Sequence, residues 1–287
     1  MTTEELLATC WTTAGDTGPL RDDQRSPLSL RERAEAAGAA GFRGFGLLYA
    51  DLVEAEHEYG LAGIRALFED NGLDHVELEF LTDWWTNGSR RAVSDVVRHT
   101  LLRAADTLGA RHIKIGPDFR DEPWDLDVWA KEFGRLAAQA DGVGTRVGIE
   151  FMPLSNIKTV HGGLRLVEAA GHPAGGLIID AWHTERADTS PTDLAAVPRS
   201  RIVGVELSDG DSQLVGSLLE DTVQRRLCGE GAFDLPGFVT ALRAAGWSGP
   251  WGVEIISDTH RALPVHEAAE AAYRTTAALL NGQQQPG

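Results

Sequence analysis

Four acidic residues close four short apolar runs. Glu150 ends Arg146-Val-Gly-Ile-Glu, Asp180 ends Gly176-Leu-Ile-Ile-Asp, Glu206 ends Ile202-Val-Gly-Val-Glu, and Glu254 ends Trp251-Gly-Val-Glu. The runs lie roughly 25 to 50 residues apart with helix-like segments between them, the cadence of βα units. Buried parallel strands read as short apolar runs. In a closed barrel of such units the C-terminal strand ends converge on one face, where active sites form. Four carboxylates gathered there repel one another unless a cation or shared protons hold them together. A shared metal ion at Glu150, Asp180, Glu206 and Glu254 is the economical answer. An all-oxygen ligand set suits a hard divalent ion, Mn²⁺ or Mg²⁺, with Co²⁺ or Zn²⁺ as alternatives.

The elements that must position these acids follow from the apolar patterning. Strands are predicted at residues 6–13, 41–49, 75–81, 111–116, 147–151, 176–181, 202–207 and 251–256. Helices are predicted at 28–40, 61–71, 90–108, 126–140, 163–170, 192–197, 235–245 and 266–280. Ser29 with Glu32 three residues on is a capping box for the first of them. Residues 51–58 read as an acidic loop and 208–233 as a long loop. Eight strands alternating with eight helices, undivided by a linker, give an α/β fold with one (β/α)8 TIM barrel over residues 1–282. Gln283-Gln-Gln-Pro-Gly is a frayed tail. An open doubly wound sheet is the alternative, but no GxGxxG follows the first strand.

Composition narrows the function classes. The chain has 287 residues, 43% hydrophobic, with a formal net charge of −17. So acidic a protein is a poor binder of nucleic acid, which needs basic patches. Cys10, in a predicted strand, and Cys228, in a predicted loop, form no CxxC pair, so a thiolate metal site is not expected and a reducing compartment is. The N-terminus lacks the pattern of a signal peptide. No run approaches the roughly 18 apolar residues of a membrane span. A cytoplasmic location is the expectation.

Other residues of the same barrel face are candidates for substrate. Lys114 alternates with Ile113 and Ile115. If the isoleucines face the helices, Lys114 points into the barrel, where Glu79 or Glu150 would be its partner. Glu77 and Glu79 share one face of the third strand, and Glu79 is nearer its C-terminal end. Trp11, Trp84, Trp85 and Trp182 fall at strand ends or in the loops after them, where aromatic faces stack on sugars or rings. No phosphate-binding Gly-rich loop is evident.

Taken together, Gly148-Ile-Glu-Phe, Ile178-Ile-Asp-Ala-Trp-His, Val203-Gly-Val-Glu-Leu-Ser-Asp, Gly229-Glu-Gly-Ala-Phe-Asp and Trp251-Gly-Val-Glu-Ile resemble the xylose isomerase-like TIM barrel superfamily, and most closely its sugar phosphate isomerase/epimerase branch. The resemblance spans nearly the whole chain. It implies a metal held by Glu, Asp, His and Glu. Here Glu206 stands where the common pattern has His. It further implies Glu150 and Glu254 as ligands that double as acid and base, His183 as a substrate-binding residue, and an arginine from Arg225-Arg reaching the substrate, with Arg226 preferred. The implied activity is isomerisation or epimerisation of a free sugar, ketose or related polyol by proton abstraction next to a carbonyl, with the metal stabilising an enediolate. The alternatives are a lyase on the same scaffold (a keto-cyclitol or dehydroshikimate dehydratase, or β-elimination from a 3-keto-glycoside) and a non-catalytic sugar-binding subunit. The partner is then a small carbohydrate or cyclitol, with no nucleic acid and no membrane. A homo-oligomer is implied because relatives are often dimers or tetramers.

Overall fold

The computed structural model describes residues 4–120 and 122–282; the predicted tail, 283–287, lies outside the described residues. Eight parallel strands close into one barrel in sequence order: β1 (Leu6–Ala8), β2 (Gly44–Leu48), β3 (His75–Leu81), β4 (His112–Ile115), β5 (Arg146–Glu150), β6 (Gly175–Asp180), β7 (Ile202–Leu207) and β8 (Trp251–Val253). The helices are α1 (Leu30–Ala40), α2 (Tyr49–Asp70), α3 (Gly88–Leu108), α4 (Leu126–Asp141), α5 (Val160–Ala170), α6 (Ala181–Arg186), α7 (Pro191–Ala195), α8 (Leu218–Asp221), α9 (Leu235–Ala244) and α10 (Val265–Gly282). Among the described residues, no helix is long and apolar enough to cross a membrane.

Alternation along each strand separates two environments. Ile113 and Ile115, Ile149, Leu177 and Ile179, Val205 and Leu207 join the buried apolar layer between sheet and helices. The residues between them point inward, and there the strands carry charge: Glu77 and Glu79, His112 and Lys114, Glu150, Asp180 and Glu206, all at most 4% exposed. Small residues make room for these side chains. A Cβ on Gly252 would lie 2.9 Å from Cγ of Glu206, and one on Gly204 would lie 3.1 Å from the His112 ring.

Several predicted boundaries shift for local reasons. The first strand stops at Ala8, and Cys10 lies in a 3-10 turn (Cys10–Thr13) instead of a strand. The Thr12 hydroxyl donates to the Val253 carbonyl at 2.6 Å and accepts from the Ile255 amide at 3.1 Å, so the turn knits the end of β1 to the end of β8. The acidic loop at 51–58 is helical, the first part of α2, which Gly60 interrupts at φ 66°. Its acids conceal a buried face of Leu52 and Ala55, and Asp51 is neutralised by Arg33 at 2.5 Å. Ser29 caps α1, accepting from the Glu32 amide, but without the return bond to the Glu32 side chain that would complete the predicted capping box. The long loop after β7 carries α8, closed by a capping box of Ser217 and Glu220. β8 is shorter than predicted, leaving Glu254 one residue past its end.

Candidate metal and substrate site

The four predicted acids meet. One oxygen each from Glu150, Asp180, Glu206 and Glu254 lie within 4.8 Å of one another, and Glu150, Asp180 and His183 form an overlapping group. Register explains the convergence: Asp180 pairs with Glu206 across β6 and β7, and Glu206 with Gly252 across β7 and β8. Asp180 is also the N-cap of α6. Its Oδ1 accepts from the His183 amide at 2.8 Å, which fixes the carboxylate and brings the imidazole over Glu150, Nε2 to Oε1 3.5 Å.

Two cations stand among these acids. Lys114, 1% exposed, places Nζ 2.7 Å from Glu206, 2.9 Å from Glu254 and 3.2 Å from Glu79. It donates a hydrogen bond to Glu254; the Glu206 contact is close but off the hydrogen-bond axis, so both Glu206 oxygens lack a hydrogen-bond donor. Arg225 bridges Asp180 Oδ2 and Glu254 Oε2 through Nη1, 2.9 Å to each, and lies on the Trp182 ring, 5.3 Å from its centroid. Five buried carboxylates thus face two cations. The imbalance appears in their acidities. Burial, opposed in part by the Lys114 ammonium, pushes Glu79 up to about 7. Burial raises Glu150 and Glu206 well above the carboxylate range, with Glu254 adding to both. Burial alone would lower Lys114, but Glu206, Glu254 and Glu79 outweigh it and hold the ammonium charged. Burial, then the neighbouring Arg225, pushes His183 well below its ordinary value, so the imidazole is neutral.

The donor set fits a divalent cation. Glu150 Oε1 and both Glu206 oxygens are buried without a hydrogen-bond donor, and the four acids are spaced as ligands of one ion. Above them opens a cavity of about 690 Å³ at the C-terminal mouth of the barrel. Trp11, Glu79, Lys114, Glu150, His183, Arg225 and Glu254 line it, whereas Asp180 and Glu206 lie behind that surface.

Three sequence-based expectations are corrected. Arg226 is on the outside, its side chain 48% exposed and paired with Asp211, and Arg225 is the arginine of the site. The cause is a short antiparallel bridge. Arg226 exchanges backbone hydrogen bonds with Asp209, while the Arg225 amide bonds to Ile256, so neighbouring side chains point oppositely. Trp182 is fully buried, with its indole N–H on Asp221, and supports Arg225 from beneath instead of lining the cavity. Trp84 and Trp85 pack on Trp129 of α4, with Trp85 stacked on it at 4.2 Å. Sequence reasoning also missed Phe80, Phe119, Met152 and Leu219 in the cavity wall: Phe119 and Met152 lie in irregular connections and Leu219 in a four-residue helix, where no periodicity marks them, and Phe80 falls in β3 at the parity opposite to Glu77 and Glu79.

A barrel of eight parallel strands with an acidic ligand set at its C-terminal mouth defines a class, and the sequence agrees. The family profile described as xylose isomerase-like TIM barrel matches residues 34–281, and the chain belongs to that family. Among curated relatives, the 3-dehydroshikimate dehydratase of Pseudomonas aeruginosa is 29% identical over 84% of this chain, but the match spans only 38% of that protein. The inosose isomerase of Halalkalibacterium halodurans is 28% identical over 51% of this chain and 52% of its own length. Among solved structures, the IOLI protein with a bound zinc atom superposes with a TM-score of 0.82 at 17% identity, covering 98% of this chain and all of that one.

Proposed function

We propose that this chain is a divalent-metal-dependent isomerase or epimerase acting on a keto-sugar, ketose or related polyol. The observation that carries the proposal is the division of the four acids. All four converge as ligands, but only Glu150 and Glu254 also face the cavity. Those two are therefore the ones a substrate could meet. Glu150, Asp180, Glu206 and Glu254 would hold the ion, whose chemistry is to polarise a carbonyl and stabilise negative charge developing beside it. Glu150 faces the cavity and its Oε1 accepts no hydrogen bond, which suits it to remove a proton from the carbon next to the carbonyl. Glu254 is held at both oxygens by Lys114 and Arg225, so it is fixed in place for the return of a proton to the substrate. His183 in its neutral form orients a substrate hydroxyl, and Lys114 and Arg225 balance the charge of the acids. The all-carboxylate set favours Mn²⁺ or Mg²⁺. A cytoplasmic location and a homo-oligomeric assembly complete the proposal.

A lyase acting through the same proton abstraction is the second reading, favoured by the 3-dehydroshikimate dehydratase likeness over 84% of this chain. Elemental analysis of the purified protein, with thermal shift in Mn²⁺, Mg²⁺, Co²⁺ and Zn²⁺, tests the metal. A screen of keto-sugars and keto-cyclitols read by mass separates the two reactions. An isomerase product keeps the substrate's mass, and a dehydratase product is lighter by one water. Absence of metal, with no thermal shift in any of the four ions, would overturn both.

A further inference from the structure

The cavity divides into two chemistries. Its floor is ionic: Glu79, Lys114, Glu150, His183, Arg225 and Glu254. Its walls are mostly apolar, interrupted by Gln24, Tyr49, Thr82 and Thr222, and the apolar groups come from separate segments: Trp11 and Leu20 from the β1–α1 connection, Phe80 from β3, Phe119 from the β4–α4 connection, Met152 from the β5–α5 connection and Leu219 from α8. Leu20, Phe119 and Leu219 are 49%, 50% and 52% exposed. Large apolar side chains left in water around one opening mark a ligand-binding surface more than a packing requirement. The volume points the same way. About 690 Å³ lies within the range of clefts that take drug-sized ligands.

The charge of the wall sets a second condition. Among the described residues lining the cavity, the only arginine or lysine side chains are Arg225 and Lys114, and both are already enclosed by carboxylates. Among the described residues, no cation lines the upper wall to receive a phosphate or carboxylate on the outer part of a substrate.

We propose that the substrate is a sugar or cyclitol ring carrying a neutral apolar or aromatic substituent, with the ring on the ionic floor and the substituent against Trp11, Leu20, Phe119 and Leu219. This inference rests on the function proposed above and narrows its substrate. Ring hydroxyls and carbonyl need the polar groups below. An aryl group gains from the wall by burial and by stacking on Trp11 and Phe119.

The test is calorimetric binding of methyl β-D-glucopyranoside and phenyl β-D-glucopyranoside to the full chain with Mn²⁺ present. The phenyl glycoside is expected to bind roughly ten- to a hundred-fold tighter, the range for burying one phenyl side chain. The Phe119→Ser, Leu219→Ser double variant should bring that ratio close to one. Equal affinities, or no binding of either glycoside, would overturn the inference, as would a ratio unchanged in the double variant. Titration of Mn²⁺ alone in the same instrument separates the two readings. Normal Mn²⁺ binding with no phenyl preference removes the apolar-substituent proposal and leaves the metal-dependent reading standing; absent Mn²⁺ binding removes the latter.

Discussion

Lys114→Met isolates the charge balance of the site, because methionine keeps the length and apolar stem of lysine while removing the ammonium. In the native protein Nζ contacts Glu206, Glu254 and Glu79 within 3.2 Å at a fully buried position. Removing one partner of a buried ionic cluster costs about 3–5 kcal/mol, because the remaining charges are left uncompensated. At roughly 2–3 °C per kcal/mol for a domain of this size, the metal-free variant should melt about 6–15 °C below the wild type. Metal should recover much of that loss. A ligand present at a hundred times its Kd adds about 2.7 kcal/mol to whichever form binds it. The acids of the variant no longer share their charge with an ammonium, so Mn²⁺ should bind it more tightly and raise its Tm further than that of the wild type. The assay is differential scanning calorimetry across a Mn²⁺ titration, with far-UV circular dichroism to confirm the fold. A variant that melts within about 2 °C of the wild type, with the same Mn²⁺ response, would refute the reasoning.

Four further outcomes follow from the same geometry. Glu150→Gln removes a ligand and the proton acceptor together, so turnover should fall by at least about 10³-fold with the circular dichroism spectrum unchanged; retained turnover would remove Glu150 from the chemistry. Glu206→His should shift metal preference in competition dialysis toward Zn²⁺ or Co²⁺, and an unchanged preference would mean that residue 206 is not a ligand. Arg225→Met should lower Tm and abolish activity, because it strips the bridge between Asp180 and Glu254, whereas Arg226→Ala should leave Tm within about 1–2 °C; equal effects from both would contradict the placement of the two arginines. His260 is buried with Nε2 2.9 Å from the Thr12 carbonyl, and burial lowers its pKa, so the fold holds the neutral ring while the unfolded chain takes up a proton as pH falls through about 6.5. The contribution of His260 to stability should therefore decline from pH 7 toward pH 5, against the opposite trend of the raised acids Glu79, Glu150 and Glu206, and His260→Gln, measured by urea denaturation, should remove that decline and leave the variant relatively more stable at pH 5 than at pH 7.

The parts of this site that were readable from sequence are those set by period two. Glu150 and Asp180 end their strands and Glu206 is one residue from the end of β7; their neighbours Ile149, Ile179 and Val205 belong to the outer apolar layer, so the direction of each acid follows from its parity in the strand. Lys114 between Ile113 and Ile115 obeys the same rule, and its partner Glu79 was within reach of that argument. The partners Glu206 and Glu254 were not, because barrel closure brings them from three and four strands away. Arg225 and Arg226 lie where period two gives no direction. Two adjacent arginines in an extended segment must point oppositely, but which one points inward depends on the bridge to Asp209, a contact between loops with no local sequence signal. The tryptophans fail for a different reason. Aromatic character fits a stacking wall and a buried platform equally, and Trp84, Trp85 and Trp182 each found a hydrogen-bond or ring partner inside the protein before any ligand was needed.

Glu206 and Lys114 are best understood as one unit. A carboxylate in place of the histidine that the resemblance implies adds a negative charge to an already acidic set, and by itself that would hold any metal more tightly and leave the metal-free protein more strained. The ammonium 2.7 Å away, shared with Glu254 and Glu79, offsets part of that charge, while the position keeps an oxygen donor. Such a site should discriminate between ions by ligand hardness. It also explains why so buried a lysine is tolerated on the cavity floor: among the described groups within 3.2 Å of Nζ are three carboxylates, enough to outweigh the desolvation that would otherwise discharge it. The prediction that separates this pairing from two independent residues is a double-mutant cycle. Lys114→Met and Glu206→Gln should each destabilise the metal-free protein, and the double variant should be more stable than the sum of the two losses by roughly 1–3 kcal/mol. Additive losses would mean that the two residues act separately, and that the charge at position 206 is balanced by the metal alone.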